Sequence, residues 1–341
     1  MKTKIIQAKI EELNQYLEQL PTDLLLLVVD SNIWQLFRGS LNFQFKNKKV
    51  ISYSAIPGED SKTFKEYEKC LEFFLSRGIH RQAHVVAIGG GAVSDMAGFV
   101  AATLLRGLPW HVAPTSLLSM VDAAIGGKVA INSQQGKNLI GAFHAPEQVF
   151  ICQEFLKMLP KDEHWSGVGE VLKYGMLDAN IFAQIEKSPA IDLDLLMICA
   201  QYKFKITAED FKEKGLRKIL NLGHTVGHAL EWHYRLTHGE AVLWGMLTEL
   251  LVLDCQDSVN AIKNLARKMQ WPRLESPWFQ KKIPIEALAE IMAKDKKMQN
   301  DQQIDLIKIE TPGKHIITRM NFEKFVELLR EHELNLRTLA I

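Results

Sequence analysis

The sequence reads as an α/β protein, with a parallel sheet in its first half and a mainly helical second half. Short apolar runs end in polar or glycine residues, and helical periodicity fills the gaps between them. Strand candidates then become scarce beyond Leu159-Pro160. At 341 residues the chain exceeds one ordinary core, since domains cluster near roughly 100–200 residues, so two domains are expected, over 1–157 and 158–341.

The first strand is Leu24–Val29, a continuous apolar run opening into Asp30-Ser31-Asn32. Ser61–Arg77 follows as a helix, with Phe64, Tyr67, Leu71, Phe74 and Leu75 on one face. Val85–Ile88 is the next strand and runs into Gly89-Gly90-Gly91; Asp95–Leu105 is a second helix, and Trp110–Ala113 a third strand closing on Pro114-Thr115-Ser116. This β-α-β rhythm is that of a parallel sheet. In the second half the apolar stretch Ala241–Cys255 is interrupted by Thr248 and Glu249 and is shorter than the ~20 residues a membrane span needs, so it reads as a buried helix. Ile304–Ile309 and His315–Met320, joined through Thr311-Pro312-Gly313, form a hairpin.

Composition excludes some partners. Forty-one Lys and Arg balance forty Asp and Glu, a formal charge of +1, so neither nucleic acid nor an anionic membrane is an expected partner. Lysines and glutamates interrupt Met1–Leu20, which argues against an export signal. Cys70, Cys152, Cys199 and Cys255 are far apart without a C-x-x-C pair, the pattern of reduced core thiols, and a cytoplasmic location is expected.

Four segments carry chemistry. Gly89-Gly90-Gly91-Ala92-Val93-Ser94-Asp95 lies between a strand and a helix, where absent Cβ atoms and a helix N-terminus suit a pyrophosphate. Ser94 occupies the third glycine position of the dinucleotide fingerprint, so a plain tight turn fits as well. Val121 to Lys128, followed by Gly136-Lys137-Asn138, sets Asp122 and two lysines among glycines, which suggests anion binding or a surface loop. Asn221-Leu222-Gly223-His224-Thr225-Val226-Gly227-His228 places two imidazoles one helical turn apart, with His238-Gly239-Glu240 downstream. Spacing alone nominates His224 and His228 as metal ligands, against hydrogen-bonded core histidines. Glu170, in Gly167-Val168-Gly169-Glu170-Val171-Leu172-Lys173, could by itself form an i, i+3 surface pair with Lys173.

Together these motifs, from about Asp30 to Lys297, closely resemble those of the 3-dehydroquinate synthases, the metal- and NAD-dependent shikimate-pathway branch of the sugar-phosphate cyclase family. The first thirty residues do not match the family's opening strands. The resemblance implies a Rossmann-like NAD domain followed by a mainly helical metal- and substrate-binding domain. It changes the ligand set to Glu170, His224 and His238, with His228 on the substrate side. Phosphate and carboxylate contacts map onto Lys128, Asn138, Arg217, Asn221, His228, Lys296 and Lys297, and Arg106 is expected to reach in from the partner subunit of a homodimer. Asp122, Lys173, Lys203 and Glu213 fall on polar active-site positions. The implied NAD contacts are Asp30, Asn32, Glu59, Lys62, Gly90, Gly91, Asp95, Thr115, Ser116, Lys128 and Lys137.

The implied substrate is 3-deoxy-D-arabino-heptulosonate 7-phosphate, whose two anionic ends match two basic clusters. The implied reaction is transient oxidation at C5, phosphate elimination, return of the hydride and aldol ring closure to 3-dehydroquinate. Arg217 and Lys203 favour this carboxylate-bearing substrate over those of related cyclases. A cyclase for another sugar phosphate, a glycerol-dehydrogenase-like enzyme and a silent NAD-binding paralogue are the competing readings. Glu-His-His accepts zinc or cobalt. The chain departs from the family pattern at Ala123-Ala124, where serines are usual, at Gly169 for alanine, at Phe211 in the acidic stretch, and at Met158 for threonine.

Overall fold

The computed structural model describes residues 3–295 and 302–341, so the expected substrate residues Lys296 and Lys297 lie outside the described residues. The chain gathers into two compact units, Met1–His164 with Lys203–Lys212, and Trp165–Tyr202 with Glu213–Ile341.

The first unit holds a six-stranded parallel sheet. Its strands are β1 (Lys4–Gln7), β2 (Leu24–Asp30), β3 (Lys49–Ala55), β4 (His84–Gly89), β5 (Trp110–Pro114) and, after an antiparallel β6 (Lys128–Ser133) and β7 (Gly136–Phe143) ribbon, β8 (Gln148–Ile151). The spatial order is β1-β8-β5-β4-β2-β3. Strands β2, β4 and β5 are buried along their whole length, as expected of interior strands covered on both faces. These are the three that the sequence announces. Edge strands β1 and β3 mix exposed and covered positions, so their sequences carry no continuous apolar run. Thus β1 and β2, both within the first thirty residues, belong to the main sheet.

The helices of this unit begin with α1 (Ile10–Glu18), which buries Ile10, Leu13 and Leu17, and the short α2 (Ser31–Leu36). Helix α3 runs Phe64–Leu75, later than the periodicity suggests, because a 3₁₀ turn over Gly58–Lys62 precedes it and Thr63 Oγ1 accepts from Glu66 N at 3.3 Å. Helix α4 spans Gly91–Thr103 and starts four residues before Asp95, since small residues at its head show no apolar period. Beyond it the chain turns sharply, with Leu105 at φ 49°, Arg106 at φ 72° and Gly107 at φ 115°.

The second unit is built from helices. They are α5 (Lys161–Leu177) from Trp165 on, α6 (Ala179–Lys187), α7 (Leu193–Glu209) up to Tyr202, its end from Lys203 belonging to the first unit, α8 (His224–Tyr234), α9 (His238–Val252), α10 (Gln256–Lys268), α11 (Ile285–Asp295), α12 (Phe322–Glu331) and α13 (Glu333–Arg337), with the hairpin β9 (Gln303–Thr311) and β10 (Lys314–Asn321). Helix α9 is the buried helix expected from Ala241–Cys255 and begins three residues earlier. All four cysteines are free and buried, and burial raises each thiol. Among the described residues no helix is long and apolar enough to cross a membrane.

Candidate active site

The second unit contains an ionic cluster assembled from α5, α8 and α9 around the buried Glu170, with both histidines half-buried. One ligand atom from each of Glu170, His224 and His238 lies within 4.8 Å of the other two. His238 Nε2 is 3.1 Å and His224 Nε2 3.4 Å from Glu170 Oε1, and the Lys173 ammonium pairs with Oε2. Glu170 is 0% and Lys173 1% exposed, so the i, i+3 pair is interior rather than on a solvated face. Burial alone would raise the Glu170 carboxyl; Lys173 and the two imidazoles hold it well below the usual carboxylate range. Burial, reinforced by Lys173, pushes His224 down to about 4. For His238, burial is outweighed by Glu170 and Glu231, which push it up to about 10.

A carboxylate oxygen and two imidazole nitrogens form a donor set suited to a divalent ion with an open position. Outer partners orient both imidazoles. His238 Nδ1–H donates to Glu231 Oε2 at 3.1 Å, which leaves Nε2 turned to Glu170, and His224 Nδ1 is 3.1 Å from Leu222 O. The buried Glu249 carboxylate accepts from Gly223 N and Val226 N, both at 3.0 Å, capping α8 immediately around His224.

Glycines let these helices approach. A Cβ on Gly169 would lie 2.1 Å from Gly239 O, so even alanine is incompatible with the contact that brings the start of α9, and with it His238, against α5. This accounts for one departure from the family pattern.

Around the cluster, His228 is exposed on α8, its ring centroid 5.4 Å from that of His224 and 6.4 Å from that of His238, outside the set of three ligand atoms. Arg217 is buried on a 3₁₀ turn over Leu216–Asn221. Asn221 donates to Glu213 Oε1 at 2.7 Å. The turn is tied to the hairpin by Lys218, 2.6 Å from Asp305, which also takes Arg319 at 2.8 and 3.3 Å.

In the first unit, the C-terminal end of the sheet collects the residues assigned to the nucleotide. Asp30 closes β2 and accepts from Asn32 N at 2.9 Å and Ile33 N at 3.4 Å; burial raises its carboxyl. Gly90 caps α4, and Cβ atoms on Gly90 and Gly91 would stand 3.7 Å from Ser116 Oγ and 3.2 Å from Ala123 Cβ. That bare helix start fits a pyrophosphate. Thr115 N donates to Gly89 O at 2.9 Å, and Ser119 N donates to Ser116 Oγ at 3.2 Å.

A polar network lies alongside. Lys62 is buried, 2.6 Å from Asp95, and donates to Asn138 Oδ1. Burial pushes the Asp95 carboxyl up to about 6 despite Lys62. Asn132, which sequence reasoning missed, donates to Glu59 Oε1 at 2.6 Å and accepts from Asn138 N at 3.0 Å, linking the two groups. Lys203 pairs with the Asp122 carboxylate at 2.7 Å and donates to its carbonyl at 2.7 Å. Lys128 and Lys137 are exposed on the β6–β7 ribbon, and Arg106 is exposed on the left-handed turn after α4. Phe211 packs edge-on to Phe143 at 5.4 Å, so this departure is filled by an aromatic contact.

The family model for the 3-dehydroquinate synthase N-terminal region matches residues 52–166, and that for the C-terminal region matches 167–298. A 3-dehydroquinate synthase of Staphylococcus epidermidis is 36% identical over 322 residues, covering 89% of this chain and 88% of its own. The chain belongs to the 3-dehydroquinate synthase family. Membership makes it an enzyme of the carbon–oxygen lyase class, acting in formation of 3-dehydroquinate. A second family member, from Staphylococcus aureus, is 34% identical over 327 residues, covering 92% of this chain and 90% of its own.

Solved structures share the fold. A 2-deoxy-scyllo-inosose synthase complexed with carbaglucose-6-phosphate, NAD+ and Co2+ matches with a TM-score of 0.79 at 23% identity over 96% of both chains. The 2-epi-5-epi-valiolone synthase of Streptomyces hygroscopicus, with NAD+ and Zn2+ bound, gives 0.81 at 20% identity over 98% of this chain and 97% of its own.

Sequence reasoning in this 3-dehydroquinate synthase family member missed Asn132, Glu231 and Glu249. Glu231 offered a signal, lying one helical turn beyond the Gly227-His228 segment. Glu249 looked like an interruption in an apolar helix, and a buried acid in such a helix is itself a sign of a partner.

Proposed function

We propose that this protein converts 3-deoxy-D-arabino-heptulosonate 7-phosphate to 3-dehydroquinate and inorganic phosphate, using NAD and one divalent metal ion. The observation that carries the reading is the Glu170–His224–His238 set, whose buried carboxylate is backed by Lys173, in a chain of this family. Glu170, His224 and His238 would hold the metal, and the glycine-rich end of the sheet with Asp30, Glu59, Lys62 and Asp95 would hold NAD. When bound, the metal supplies Lewis acidity toward substrate hydroxyls and NAD a reversible hydride acceptor.

The remaining work falls to the chain's own side chains. Lys173 keeps Glu170 ionised in the interior, so the carboxylate remains a ligand. Lys128, Asn138 and His228 grip the phosphate and fix proton-transfer geometry, since positioning replaces a strong dedicated base. Arg217 forks onto the substrate carboxylate while Asn221 and Glu213 orient hydroxyls. Lys203 and Asp122 form a polar pair on the substrate side, and Lys296 and Lys297 add positive charge. In this reading the enzyme is a cytoplasmic homodimer, Arg106 serving the partner's site, with residues 1–157 as NAD domain and 158–341 as metal and substrate domain. Zinc and cobalt both satisfy the donors.

The test is phosphate release from the heptulosonate phosphate with NAD and zinc or cobalt, with and without chelator, while NADH absorbance is followed. Chelator-sensitive release without net NADH is expected. No release by protein loaded with metal and NAD would overturn the substrate assignment and point to another sugar phosphate.

A further inference from the structure

The first unit holds a second group of metal-type ligands, at the end of the sheet opposite the glycine loop. His84 opens β4, whose other end is Gly89, about 16 Å away at ~3.3 Å per residue. In the parallel register Val86 pairs with His111. Residues 84 and 86 share a face, so His84 and His111 stand diagonally on the same side of the sheet. His111 in turn pairs with Gln148 of β8, and Glu147 immediately precedes that strand. Its backbone is fixed on both sides, Glu147 N donating to Trp110 O and Lys4 N to Glu147 O, each at 2.8 Å.

The side chains converge. His84 Nδ1 and His111 Nε2 are 2.9 Å apart in a hydrogen bond between near-parallel rings (15°) set end to end with centroids 5.1 Å apart, and Glu147 Oε2 is 4.0 Å from His111 Nε2. His84 is 5% and His111 0% exposed, whereas the Glu147 side chain is 55% exposed and offers a route from solvent. His111 Nδ1 and Gln148 Oε1 are both buried, and the Gln148 side chain interacts with the His111 ring. Gln148 Oε1 is the acceptor suited to an Nδ1–H on His111, and that tautomer leaves Nε2 bare toward His84. Two further charges bear on His84, Glu147 favouring a cation and Lys48 opposing one.

We propose that His84, His111 and Glu147 form a second divalent-cation site, taking zinc or a similar borderline ion, that ties β4, β5 and β8 together at the N-terminal edge of the sheet. In a tetrahedral site with bonds of about 2.0–2.1 Å, ligand atoms stand about 3.3 Å apart, so the two nitrogens open by about 0.4 Å and the carboxylate closes by about 0.7 Å. The ion replaces the hydrogen bond between the two imidazoles, and both rings turn so that His84 Nδ1 and His111 Nε2 face it. The inference is independent of the reaction proposed above.

The experiment counts zinc by elemental analysis on the full chain after chelation and equilibrium dialysis. The His238→Ala variant disables the Glu170 cluster and is expected to retain one equivalent, which His111→Gln removes when combined with it. Outer-shell partners cost about 10–100-fold in metal affinity and a direct ligand no less, so Glu147→Gln in the His238→Ala background loses at least about tenfold. Glu147 is at the surface, so this variant keeps the test valid if the His111 variant fails to fold. No zinc in His238→Ala, or zinc that survives both His111→Gln and Glu147→Gln, overturns the proposal and leaves a buried, hydrogen-bonded imidazole pair.

Discussion

Among the described residues, two groups of two imidazoles and one carboxylate occur, and they are built inside out from each other. At Glu170–His224–His238 the carboxylate is the interior member, with no exposed surface, and positive groups converge on it. At His84–His111–Glu147 the imidazoles are interior and neutral while the carboxylate faces solvent. The same donors therefore set opposite demands. A buried anion requires cations around it whether or not a metal is bound, whereas buried neutral rings require only a hydrogen bond. Substitutions that expose this difference should scale with the burial of the carboxylate concerned.

The largest effect is expected at the interior cluster. His238→Ala should abolish metal uptake there and reduce phosphate release by more than about 100-fold, since losing even an outer-shell partner costs about 10–100-fold. His228→Ala should keep that metal and still slow release, by about 10²–10⁴-fold if its positioned proton transfer is lost. Zinc content measured beside turnover separates the two; equal metal loss in both variants would contradict the ligand assignment.

Lys173→Met tests the demand for a cation directly. It leaves Glu170 in the interior without its ammonium, and removing one partner of a buried pair costs about 3–5 kcal/mol. Denaturant unfolding in chelator should show that loss, and added zinc should return part of it by binding the folded state. A loss below about 1 kcal/mol would mean the two histidines already satisfy the carboxylate.

The contrast between the clusters also explains what was legible in the sequence. His224 stood out because it lies in a local helical spacing with His228, whereas the group whose ligand atoms lie together is completed across three helices by Glu170 and His238. Glu170 and His238 came forward through family resemblance. His84 and His111 carry no sequence signal, because only the strand register of β4 against β5 makes them neighbours. The same applies to the fold. Interior strands β2, β4 and β5 are readable as continuous apolar runs, while the edge strand β3 has no such run and β1 and β8 depend on each other across most of the first unit. Helix α4 was legible except at its head, where the glycines that suit a phosphate erase the apolar period.

Between the extremes lies Asp305, whose side chain is 13% exposed. The hydrogen bond from Arg319, and then Lys218, hold its carboxyl down to about 2, below the unfolded value of 3.8. The stabilisation is therefore complete above about pH 4 and lost as pH falls toward 2, and it amounts to at most about 2 kcal/mol. Asp305→Asn should be less stable than the parent at pH 6 by up to that amount and equal to it near pH 2, by urea unfolding at each pH. A deficit independent of pH would assign the residue a packing role instead.

The smallest effect is expected at the most exposed carboxylate. Glu147 is more than half exposed and 4.0 Å from a neutral ring, so in chelator Glu147→Gln should change stability by less than about 0.5 kcal/mol. The near-silence of this variant without metal is informative because it excludes a hidden structural role for the carboxylate. Any difference from the parent that appears only on adding zinc, in the His238→Ala background, then reports the ion itself. A large loss in chelator would instead show that Glu147 supports the sheet edge through its own contacts, and the two clusters would differ less than their burial suggests.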